Sequence, residues 1–132
     1  MNVILKKACE NFAKSLGLEV KECNDENIKG YVSKISINGD LNYDIFLILP
    51  KEKLDMISEI FFESKEYDLE DLTKEITNLI VGNSKVVAGE NKIDFDISTP
   101  EFLGEFKNNI NYDNKLCFET NGVKFYILYK EK

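Results

Sequence analysis

Between Asn2 and Leu16 the apolar positions Val3, Ile4, Ala8, Phe12 and Leu16 return at the spacing of one helix face. They predict a first helix that Asn2 can cap and that ends near Gly17. Leu18 to Cys23 then reads as a strand, and a second runs from Gly30 to Ile37, where Tyr31, Ser33, Ile35 and Ile37 alternate with Val32, Lys34 and Ser36. Asn38-Gly39-Asp40 is a hairpin-turn signal leading into a third strand, Leu41 to Leu49. Pro50 closes that strand and opens a short helix through about Phe62, with Leu54, Ile57, Ile60 and Phe61 expected inward.

A longer helix follows. Asp68 is a good N-cap, with Asp71 three residues on at the position of a capping-box acid, and the helix is expected to run to Ala88 and stop at Gly89. Leu69, Leu72, Ile76, Leu79, Ile80 and Val87 cluster on its core side. On the opposite side, at roughly 100° per residue, Asp71, Glu75 and Asn78 fall within about a 60° arc. Asn83 lies on the apolar side, where a bond to buried backbone is expected. Lys92 to Ser98 alternates Ile93, Phe95 and Ile97 with polar neighbours as a strand does, and Pro100 breaks it. Lys115 to Glu119, the turn Thr120-Asn121-Gly122, and Val123 to Tyr129 form a final hairpin, preceded by a polar loop from Asn108 to Asn114. The order of elements predicts an α+β domain, helices laid on an antiparallel sheet, with residues 1–132 as one domain. Phe61, Phe62, Phe95, Phe118 and Phe125 are expected in its core.

Composition narrows the function classes. The chain has 132 residues, 43% of them hydrophobic, enough for one core. No run approaches the roughly 18 apolar residues of a membrane span, and Lys6, Lys7, Glu10 and Lys14 within the first helix do not suit a signal peptide. A cytoplasmic protein without membrane insertion is expected. Cys9, Cys23 and Cys117 are widely spaced with no Cys-x-x-Cys, so reduced structural thiols are expected. A formal charge of −7 without a basic cluster speaks against nucleic acid as a partner. Histidine is absent, which removes the usual general base at neutral pH and the commonest zinc ligand. Chemistry must run on carboxylates, amides, Lys, Tyr or a borrowed metal.

Polar residues at helical spacing usually form a solvated face, and an acid in the first turn, such as Asp71, is stabilised by the helix dipole whatever else it does. Gly82 lies on the same stripe one turn past Asn78, although Gly costs about 0.5–1 kcal/mol relative to Ala inside a helix. That cost favours a packing or functional reason.

Asp71-x3-Glu75-x2-Asn78, with Val81-Gly82-Asn83 later in the helix and, after 21 intervening residues, Pro100 with Gly104-Glu105, resembles the signature of the CheC, CheX and FliY phosphatases. These proteins dephosphorylate the response regulator CheY in bacterial chemotaxis. The chain carries one such helix, since the first helix has Glu10 and Ala13 at the corresponding spacing, and CheX is the nearer likeness. The resemblance implies a protein-aspartyl-phosphate phosphatase in which Asn78 orients the attacking water and Glu75 pairs with the conserved Lys of a phosphorylated CheY-like receiver. It further implies partner contact at Asp71, Gly82 and Lys85, no cofactor or metal bound by this chain, and Mg2+ on the receiver. It allows a homodimer through a sheet edge, for which the apolar Val123 to Tyr129 strand would need covering. The alternative is a noncatalytic module of this fold that binds a receiver or a flagellar-switch partner.

Overall fold

Three amphipathic helices and seven strands make up the computed structural model, which describes residues 1–132. In chain order they are α1 (Asn2–Ser15), β1 (Lys21–Glu22), β2 (Tyr31–Gly39), β3 (Tyr43–Leu49), α2 (Lys51–Phe62), α3 (Leu69–Glu90), β4 (Phe95–Ile97), β5 (Glu101–Glu105), β6 (Asn114–Thr120) and β7 (Val123–Glu131). The strands form one antiparallel sheet in the order β1-β6-β7-β3-β2-β4, with β5 also pairing β2. No helix is long and apolar enough to cross a membrane.

Strand alternation decides which face each side chain takes. Ile35 and Ile37 of β2, Ile45, Leu47 and Leu49 of β3, and Phe125, Ile127 and Tyr129 of β7 meet the apolar sides of all three helices in the main core. Each fully buried Ile, Leu or Phe there contributes about 1.5–3 kcal/mol. The intervening residues Val32, Ile48, Cys117, Tyr126 and Leu128 form a smaller core on the other face, under Ile28, Phe106 and Ile110. A few elements carry their own local signals. Asn121 and Gly122 sit at φ +52° and +80°, the doubly positive turn that joins β6 and β7. Gly39 is required by close approach, because a Cβ there would lie 2.7 Å from the Cα of Phe95 on β4.

Several expectations are corrected. Asn2 is already helical, Met1 holds the N-cap position, and no side chain caps α1. The strand expected at Leu18 to Cys23 contracts to Lys21–Glu22, because only these residues find partners on β6. Just beyond them Cys23 donates its N–H to the Cys117 carbonyl at 3.0 Å, and the two cysteines are joined in a disulfide. The expectation of three reduced thiols therefore holds only for Cys9, which is free and buried. A separation of 94 residues gave no spacing cue, and only the pairing of β1 with β6 brings the sulfurs together.

Helix α3 extends past Gly89 to Glu90. Pro100 does not end the strand region but separates two short strands, β4 and β5, that share β2 as neighbour. Strand β7 lies between β6 and β3, so its apolar run is covered within the chain and is not an exposed edge. Ile60, Phe61 and Phe62 at the end of α2 are exposed (41%, 41% and 60%), as is Leu79 (39%), whereas Phe95, Phe118 and Phe125 are buried as expected.

Candidate active site on the long helix

Helix α3 starts where Asp68 accepts a hydrogen bond from the Asp71 N–H at 2.9 Å, satisfying one of the orphan donors of the first turn. The reciprocal bond of a capping box is not made, and Asp71 is exposed. Leu72, Ile76, Ile80, Val81, Val87 and Ala88 pack into the core. The buried hydroxyls of Thr73 and Thr77 donate to the carbonyls of Leu69 (2.7 Å) and Thr73 (2.8 Å), so they need no outside partner. Asn83 bonds not to backbone, as its place on the wheel suggested, but to a side chain: Asn11 Nδ2 of α1 donates to Asn83 Oδ1 at 3.0 Å. Packed on the sheet and tied to α1, α3 is a rigid platform for whatever its outer face carries.

That outer face carries Asp71, Glu75 and Asn78, all exposed. Glu75 and Asn78 make no hydrogen bond or ion pair within the chain. The neighbouring Lys74 turns to Glu70 at 3.7 Å and leaves the Glu75 charge uncommitted. The structure thus keeps the three residues on one stripe, with a free carboxylate and a free carboxamide one turn apart. Gly82 continues the stripe, and a Cβ there would meet nothing within 4 Å. Packing within the chain therefore does not explain it. Gly82→Ala is expected to raise the unfolding free energy by about 0.5–1 kcal/mol in a denaturant titration, because it removes only the entropic cost of glycine; an unchanged or lower midpoint would contradict this.

Lys85 stands apart from the other stripe residues. Its Nζ lies 3.9 Å from Asp94 Oδ1 and 4.0 Å from Asp96 Oδ1, so it leans over the β4 side of α3. Both acids are largely exposed, and such a pair contributes little to stability.

Two depressions flank the stripe. On one side a groove of about 370 Å³ is lined by Phe62, Tyr67, Asp68, Asp71, Leu72 and Glu75. Its wall is fixed by Tyr67, whose hydroxyl donates to Asp55 Oδ1 at 2.7 Å while Lys51 Nζ lies 4.9 Å over its ring. Hydrogen bonds from Lys51 and Tyr67 hold the Asp55 carboxyl below its usual range. On the other side a polar cleft of about 610 Å³ runs between Glu70 and Lys74 of α3 and the Ser98-Thr99-Pro100 segment. Ser98 fills the gap between β4 and β5 by exchanging hydrogen bonds with Ser36, its N–H to the Ser36 carbonyl and its Oγ from the Ser36 N–H, each at 2.9 Å. Pro100 is thereby placed beside the helix, and Gly104 takes φ +84° next to the register shift between Val32 and Ser33. No group of three His, Cys, Asp or Glu side chains is placed to hold a metal ion.

The exposed Phe62 beside Glu75 was missed as a surface residue. The sequence held a cue: Phe61 and Phe62 are adjacent, about 100° apart on a helix, so both cannot face the core that Leu54 and Ile57 define.

Fold and site together define an α+β domain whose longest helix holds a carboxylate and a carboxamide open on one face. The family described as chemotaxis phosphatase CheX matches residues 31–121, a segment containing the whole of α3, Pro100 and β5, and the chain belongs to that family. No protein of curated function matches it. Among solved structures, the chemotaxis protein CheX from Vibrio vulnificus is 19% identical with a TM-score of 0.79, over 98% of this chain and 97% of that one. CheX from Desulfovibrio desulfuricans is 17% identical with a TM-score of 0.74, over 98% and 97% of the two chains. A CheX from Borrelia burgdorferi, solved as a complex with CheY, BeF3 and Mg2+, is 16% identical with a TM-score of 0.69, over 97% and 96%.

Proposed function

We propose that this chain hydrolyses the aspartyl phosphate of a CheY-like receiver in the cytoplasm, with Asn78 orienting the attacking water and Glu75 gripping the Lys beside the receiver's phosphorylated Asp. The observation that carries this reading is the uncommitted pair: two exposed side chains, one charged and one neutral, on one face of a buttressed helix. Membership of the CheX family supports it, and the Borrelia complex shows that a protein of this fold engages CheY.

The division of labour follows from charge. An acyl phosphate beside a bound magnesium ion needs little beyond a water held in line with the leaving carboxylate. The Asn78 amide can accept one hydrogen bond from that water and donate another to the phosphoryl group without bringing negative charge to an anion. A carboxylate held about 4 Å from a phosphoryl charge would be repelled by about 4 kcal/mol at an effective dielectric of 20. Glu75 therefore belongs on the receiver's ammonium group, where the same magnitude is attractive. Magnesium belongs to the substrate, Asp71 and Gly82 line the approach, and Lys85 sits at its far end.

Phosphate release from a receiver charged with a small-molecule phosphodonor tests the reading. Glu75→Ala is expected to raise KM for the phosphorylated receiver about tenfold or more while kcat changes much less, because docking is lost and the water-orienting amide is kept. An unchanged KM would remove Glu75 from the account.

A further inference from the structure

Three large apolar side chains stand exposed at the end of α2: Ile60, Phe61 and Phe62, with the last two rings 6.0 Å apart. Isolated exposed hydrophobics are common, but a contiguous cluster marks an interaction surface. Its position decides which one. Phe62 shares the 370 Å³ groove with Asp71 and Glu75, and Leu79, exposed one turn beyond Glu75, extends the apolar strip along α3. The acidic rim of the groove, Glu66, Asp68, Asp71 and Glu75, carries no cation of its own. A surface laid over it must therefore be apolar at the centre and cationic at the edge.

We propose that Phe62, backed by Phe61 and Leu79, is the docking anchor for the receiver domain and sets which receiver is accepted. The inference rests on the proposed phosphatase reading: a receiver whose Lys pairs with Glu75 must lay the surface next to that Lys across Phe62. The acids then reward a basic rim around an apolar receiver patch, so receivers lacking that patch are discriminated against at docking and not at the chemical step. Phe62 touches no reacting atom; it positions the partner.

The test is a KM-against-kcat comparison on phosphorylated CheY-like receivers, together with titration of the same receivers held in the BeF3 form with Mg2+. Phe62→Ser and Phe62→Glu are expected to raise KM and weaken binding about tenfold or more with kcat within twofold of wild type; Phe62→Leu should recover most of the loss. Val3→Ser, at an exposed apolar residue of α1 away from the groove, should change neither. Because Phe62 is 60% exposed, its variants should unfold at the wild-type denaturant midpoint. Unchanged KM and binding in both Phe62 variants, with turnover still abolished by Asn78→Ala, would overturn the docking anchor and leave the phosphatase reading intact. Receiver binding without turnover, weakened by the Phe62 substitutions, would uphold the anchor and sink the phosphatase. Failure of the wild type to bind any receiver would overturn both.

Discussion

Asn78→Ala is expected to lower kcat for the phosphorylated receiver about a hundredfold, which corresponds to about 2.7 kcal/mol of barrier, with KM little changed. The side chain is exposed and takes part in no internal hydrogen bond, so the fold should not notice its loss. Asn78→Asp separates geometry from charge. It keeps the shape and an acceptor oxygen but loses the donor, and it sets a negative charge against the phosphoryl group at a cost comparable to the whole catalytic gain. The Asp variant should therefore be no better than the Ala variant. Substantial activity in Asn78→Asp would mean that the residue acts as a base, and the water-orienting role would be wrong.

A second large effect is expected far from the site. Lys53 on α2 is 4% exposed, has no carboxylate within ion-pair distance, and holds its Nζ 5.0 Å from the centre of the Phe125 ring. Burial pushes its pKa down to about 8 from the ordinary 10.5. Below pH 8 both folded and unfolded chains carry the proton, and the fold bears the cost of a buried ammonium group. Above pH 8 the folded chain sheds the proton first while the unfolded chain keeps it up to about 10.5, so the Lys53 contribution to stability rises with pH across that window, by a total of about 3 kcal/mol. Cys9 and the tyrosines oppose this. Burial pushes the Cys9 thiol well above its ordinary 9.0, so it stays protonated in the fold after the unfolded chain has ionised, and stability is drawn down from about pH 9. Tyr126, raised to about 12 by burial and its bond to Asp25, stays protonated in the fold after the unfolded chain has ionised, so stability falls again above pH 10. A maximum near pH 9 is expected in denaturant titrations. Lys53→Met should be more stable than wild type at pH 7 and should lose the alkaline rise. A rise that persists in Lys53→Met would show that another group causes it.

Much of the frame was legible because it rests on local rules. The α3 cap at Asp68, the Asn121-Gly122 turn and the burial of Ile35, Ile37, Leu54 and Ile57 each follow from short-range pattern, and the chain folds accordingly. The stripe was legible for the same reason, since helical periodicity alone puts Glu75 and Asn78 on one face. What was not legible depends on pairing across the chain. The shortness of β1 and the existence of β5 are set by the partners that β6 and β2 offer, the first over two residues and the second across a register shift. The Cys23–Cys117 bond and the Asn11–Asn83 contact join residues 94 and 72 positions apart. The exposed phenylalanines failed for another reason: hydrophobicity alone assigns a large aromatic to the core, and the cue against it lay only in the adjacency of Phe61 and Phe62 on one helix.

The central claim is that this chain is a catalyst of receiver dephosphorylation, and multiple-turnover phosphate release tests it most directly. Wild-type chain at about one hundredth of the receiver concentration, with Mg2+ and a receiver phosphorylated by a small-molecule donor, should release many phosphates per molecule of chain and shorten the life of the phosphorylated receiver. A decay rate that is unchanged, or that falls only when the chain is stoichiometric with the receiver, would contradict the account and mark the chain as a binding module.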